Sequence, residues 1–93
     1  MGHNESKSYS ELTDRIDDLE IKLGKISSDD FETSMKLYQC RQYLKGIEKD
    51  LAKAKDFGIF DGSEDEQKFC QRFSKLLDSC DAYIEKIKIE FDN

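Results

Sequence analysis

Cys40, Cys70 and Cys80 are the strongest nucleophiles in this chain, and none has the company that catalysis requires. An activated nucleophile needs a base within reach and a third group to orient that base. The one histidine, His3, stands in a polar N-terminal stretch, far in sequence from all three thiols. A helix N-terminus or neighbouring cations could also form a thiolate. The three cysteines instead fall on apolar stripes in mid-helix, where a thiol serves as a small buried hydrophobe. Their odd number and the lack of any C-x-x-C spacing exclude a disulfide framework and a zinc site. In a hairpin folded about residues 60–61, positions whose numbers sum to about 121 share a level, which places Cys40 near Cys80 in the core. In a reducing compartment the two should stay thiols.

Carboxylates are the other candidate reagents. Asp17-Asp18, Asp29-Asp30 and the run Asp61 through Glu66 could attract a divalent cation. The run Asp61-Gly62-Ser63-Glu64-Asp65-Glu66 lacks the twelve-residue ligand order of a calcium loop. Helix capping and solubility account for these acids more simply. No glycine-rich phosphate loop and no dinucleotide fingerprint is present. The sequence therefore predicts no catalytic residue, no cofactor and no metal. Lys45, Lys49 and Lys53 recur every four residues and line one side of a helix. They could track phosphates, or form a solvated face paired with Glu48, Asp50 and Asp56.

The elements that position these residues read as three helices. Tyr9, Leu12, Ile16, Leu19, Leu23 and Ile26 are spaced 3, 4, 3, 4 and 3, a heptad stripe over about residues 9–26. Ser8-Tyr9-Ser10-Glu11 offers a capping box at its start, and Ser27-Ser28-Asp29-Asp30 ends it and caps the next helix. The second helix is expected over about 30–57. Leu37, Cys40, Leu44, Ile47, Leu51 and Ala54 form one stripe, Phe31, Met35 and Tyr38 begin another, and Tyr43 and Phe57 widen the apolar face. Phe57-Gly58-Ile59 has the form of a Schellman stop. Ser63-Glu64-Asp65-Glu66 is a second capping box. The third helix, about 64–91, carries the stripes Phe69, Phe73, Leu76, Cys80, Tyr83, Ile87 and Cys70, Phe73, Leu77, Cys80, Ile84, Ile87, Phe91. Period-2 alternation appears nowhere over a useful length. The expected fold is all-α: one three-helix antiparallel bundle over residues 8–93 behind a loose tail of residues 1–7. The long helices, about 40 Å each, would outrun a first helix of about 27 Å and leave part of their hairpin uncovered. An uncovered apolar groove is a partner site or a dimer face.

Charge narrows the partners. Charged residues make up 39% of the chain, and the net charge is −6. Residues 1–30 carry −4 and residues 58–93 carry −4, while residues 31–57 carry +2. An acidic surface disfavours direct binding to nucleic acid or anionic membrane and permits a basic partner. No apolar run approaches a membrane span, and no secretory signal is present, so a cytoplasmic location is expected. Met1-Gly2-His3-Asn4-Glu5-Ser6 fits the myristoylation pattern, so a membrane enters only if Gly2 is lipidated.

The stretch Tyr9–Ala54 resembles the small subunit of bacterial exonuclease VII. Leu12, Ile16, Leu19 and Leu23 match that family's first helix, and Ser34-Met35-Lys36-Leu37-Tyr38 matches the start of its second. Leu44 and Leu51 fall on its later apolar positions. Leu23-Gly24 replaces the family's Leu-Glu, Arg41 replaces a glycine, and the third helix has no counterpart. The resemblance implies a non-catalytic accessory subunit that binds a large nuclease subunit, through Leu19, Leu23, Phe31, Leu37, Tyr38, Leu44 and Leu51. Two other classes fit the composition. One is a small acidic helical inhibitor that mimics nucleic-acid charge; the other is a self-associating adaptor.

Overall fold

A computed structural model describes residues 7–92, with side chains for residues 7–90. The tail residue His3, the Gly2 lipidation pattern and the Phe91 side chain lie outside the described residues. The chain forms three helices, α1 (Lys7–Gly24), α2 (Phe31–Asp56) and α3 (Glu64–Asp92), each packed on the other two. It is an all-α three-helix bundle. The rod measures 49 × 18 × 17 Å. Arg15 pairs with Asp78 and Lys22 with Asp81 and Glu85, so α1 and α3 ascend together while α2 descends between them.

The heptad stripes make the core. Leu12, Ile16, Leu19 and Leu23 of α1 pack with Leu37, Cys40, Leu44, Ile47 and Leu51 of α2 and with Phe73, Leu77, Cys80, Ile84 and Ile87 of α3. Burial of these side chains stabilises the bundle by roughly 1.5–3 kcal/mol for each large aliphatic residue, before conformational entropy is charged against it.

The ends of the helices follow local chemistry, with two departures. Asp30 caps α2 as expected, its Oδ2 accepting from Thr33 N at 2.8 Å and from Thr33 Oγ1 at 3.0 Å. The Schellman stop forms: Ile59 N donates to Ala54 O at 3.1 Å and Gly58 N to Lys55 O at 3.0 Å, with Gly58 at φ 79°. The second capping box closes with Glu66 N donating to Ser63 Oγ, while Glu66 Oε1 reaches back one residue further to Gly62 N at 2.6 Å. The first departure is that α1 stops at Gly24 rather than Ile26. Lys25 and Ile26 form tight turns onto Lys22 and Leu23, and Ile26 is buried from the loop instead. The second is Ser8, which lies inside the first turn rather than ahead of it and turns its hydroxyl toward the Cys70 thiol.

The end of the bundle beside the α2–α3 loop is closed by aromatic rings. Phe60 meets Tyr9 edge-on at 5.3 Å and Phe69 at 5.6 Å, and Phe69 stacks on Phe73 at 4.3 Å. Lys55 lies 4.5 Å over the Tyr9 ring.

Candidate docking surface

Of the seven positions expected to face a partner, five face inward. Leu19, Leu23, Leu37, Leu44 and Leu51 are buried in the chain's own core. The physical reason is α3, which packs on both helices of the α1–α2 hairpin and covers their apolar faces. The other two, Phe31 and Tyr38, are on the surface. Phe31, Met35 and Tyr38 are 77%, 40% and 55% exposed and stand at i, i+4 and i+7, on one side of α2. These three were expected to begin a second stripe that widens the apolar face α2 packs against its neighbours. They do not, because consecutive helical positions diverge by about 100°, and the core is reached through Leu37, not through its neighbour Tyr38. Phe57 is likewise not part of the core: it is the C-cap residue of α2 and is exposed.

Farther along the same side of α2 come Arg41, Lys45, Lys49 and Lys53, all exposed and each four residues from the last. The expected pairing of this row with Glu48, Asp50 and Asp56 does not form. Among the described residues the ion pairs lie on the seams with α3: Arg15–Asp78, Lys22–Asp81, Lys22–Glu85 and Lys36–Glu90.

A groove of about 250 Å³ opens between α2 and α3. It is lined by Gln39, Cys40 and Tyr43 from one helix and Ser79, Cys80 and Tyr83 from the other. Cys40 and Cys80 therefore share one level of the hairpin, as their numbers implied. Burial pushes the Cys40 thiol up, and burial with the nearby Cys40 pushes the Cys80 thiol up to about 11. Cys70 is also raised by burial, partly offset by the hydroxyl of Ser8. Thiols held protonated in this way are poor nucleophiles at neutral pH.

One carboxylate cluster spans two helices. Oxygen atoms of Asp17, Glu20 and Glu48 lie within 4.8 Å of one another. Partial burial, then Glu48 and Asp17, raise Glu20 above the usual carboxylate range, while Lys45 lowers it. Asp17 and Glu48 are exposed. Their approach could not be read from spacing along one helix, because it depends on how α1 and α2 are staggered. Phe60 was missed for a similar reason: it lies in a short loop, outside every periodic stripe.

No helix among the described residues is long and apolar enough to cross a membrane. Comparison with protein-family models, curated proteins and solved structures returns no match.

Proposed function

We propose that this chain is a non-catalytic binding subunit that docks on a partner protein through the outer side of α2. The observation that carries this reading is the exposed set Phe31, Met35 and Tyr38 on two successive turns of one helix. Large apolar side chains grouped on a surface are characteristic of interaction sites, and aromatic residues there supply most of the energy of typical interfaces. Burial of the cysteines, which pushes their thiols up, supports a binding rather than a nucleophilic role.

An accessory role in a nuclease complex is the specific form that the resemblance to exonuclease VII small subunits offers. With α3 in place, that role runs through Phe31 and Tyr38 alone among the seven positions. Co-expression with an exonuclease VII large subunit from the same genome tests it. Copurification that is lost in the Phe31→Glu, Tyr38→Glu double variant supports the role; no copurification of the wild-type chain removes it.

A second reading, an acidic inhibitor of a basic target, is favoured by the Asp17–Glu20–Glu48 cluster and by exposed Glu11, Asp14 and Asp18 on α1. It requires salt-sensitive binding to a basic protein that weakens in Asp17→Asn, Glu48→Gln.

A further inference from the structure

The row Arg41, Lys45, Lys49 and Lys53 extends the line of Phe31, Met35 and Tyr38 along one helix. From Phe31 to Lys53 the line covers 23 residues, about 33 Å at 1.5 Å per step. Its first part is apolar and its second part is basic. The cations Arg15, Lys22 and Lys36 are held by carboxylates of α3, but the four of the row enter no ion pair at 4 Å or less among the described residues. Lys45 acts on Glu20 only at longer range. A chain with net charge −6 thus carries on a single helix a basic strip that makes no direct ion pair among the described residues.

We propose that the outer side of α2 receives an acidic amphipathic helix of a partner protein, its apolar turns against Phe31, Met35 and Tyr38 and its carboxylates against Arg41, Lys45, Lys49 and Lys53. This rests on the docking role of α2 proposed above and names the chemistry of the partner. Two features select a protein segment over a nucleic acid. The strip is a single row on a convex helix in a rod about 18 Å thick, so a long polyanion would also feel the acidic faces, some of which lie within a Debye length of about 8–10 Å. The three exposed apolar side chains lie in line with the cations, which matches a helix with leucines on its first turns and glutamates at i, i+4 after them. Carboxylates set four apart on such a helix repeat at the spacing of the row.

The test uses the full chain and a fluorescein-labelled synthetic helix of roughly 22 residues, matched to the 33 Å line, with leucines on its first two turns and glutamates at i, i+4 thereafter. Binding is read by fluorescence anisotropy. The same peptide with lysine for glutamate, and a single-stranded oligo-dT of similar length, serve as competing probes. The expected result is saturable binding of the glutamate peptide that weakens by about tenfold as salt rises from roughly 50 to 500 mM. Lys45→Glu, Lys49→Glu should transfer the preference to the lysine peptide, with helicity by circular dichroism unchanged. Phe31→Ser, Tyr38→Ser should weaken both. Absence of binding by the glutamate peptide overturns the inference, as does tighter binding of oligo-dT. A concentration-dependent rise in mass by light scattering that Lys45→Glu, Lys49→Glu abolishes also overturns it, in favour of a second copy. If Phe31→Ser, Tyr38→Ser weakens binding but neither salt nor charge reversal does, the acidic partner is wrong while the docking face stands. If charge reversal acts and the Phe31, Tyr38 variant does not, the docking face itself is wrong.

Discussion

Cys40 of α2 and Cys80 of α3 share the floor of one groove, 4% and 3% exposed, with Tyr43 and Tyr83 at its edges. The groove joins the two long helices through small buried side chains. It also places the Cys40 thiol where it discourages ionisation of Cys80. The first expectation concerns their reactivity. At pH 8 a thiol whose pKa is about 11 is ionised at roughly one part in a thousand. Iodoacetamide should therefore modify half-buried Cys70 before Cys40 and Cys80 in the folded protein, and all three at similar rates in concentrated urea. Peptide mapping by mass spectrometry reads the order. Early labelling of Cys80 in the native state would contradict the burial described.

Core and surface positions of the candidate interface should separate cleanly by stability. Leu44→Ala and Leu77→Ala remove fully buried side chains and should each cost about 2–5 kcal/mol. For a domain of this size that is a large share of the total, about 5–14 kcal/mol at 0.05–0.15 kcal/mol per residue. Phe31→Ser and Tyr38→Ser should stay within about 0.5 kcal/mol of the parent. Urea titrations followed by circular dichroism give both values.

Two glycines should respond in opposite directions. Gly46 lies inside α2, on the surface, with open space where a Cβ would stand. Gly46→Ala should stabilise by up to about 1 kcal/mol through helix propensity. Gly58 holds the Schellman turn at φ 79°. Gly58→Ala should destabilise by about 1–2 kcal/mol, because a Cβ is strained in the left-handed region. Thermal melts of the pair suffice.

The carboxylate cluster predicts a pH dependence with a definite sign. The pKa of Glu20 is raised on folding, so protonated Glu20 favours the folded state. Its contribution is present at low pH and is lost as pH rises through the folded value, above the ordinary 4.5. Glu20→Gln should raise the melting temperature at pH 7, by an amount corresponding to about 0.2–0.5 kcal/mol for relief of like-charge contacts. The gain should vanish near pH 3, where the native carboxyl is itself neutral. An equal gain at both pH values would assign the effect to something other than charge.

Most of the secondary structure was legible because it rests on local rules. Heptad spacing marked the three helices, Asp30 and Ser63 marked two starts, and Gly58 marked a stop. Even the level shared by Cys40 and Cys80 follows from a short loop and a constant rise per residue. Ser8 and Ile26 departed from expectation where a tertiary contact replaced a local one: Ser8 turns toward Cys70, and Ile26 reaches the core from the loop.

What the sequence determined by itself is periodicity, and with it the helices, their ends and the residues able to enter a core. The tertiary structure alone decided which of two stripes on α2 is used. Leu37 and Tyr38 are adjacent in sequence, yet one is buried and the other exposed, because α1 and α3 pack along the Leu37–Leu44–Leu51 line and leave the Phe31–Tyr38 side uncovered. The same packing brought Glu20 beside Glu48 and left Arg41, Lys45, Lys49 and Lys53 without an ion pair among the described residues. These outcomes depend on the stagger and rotation of one helix against another, which no spacing within a single helix contains.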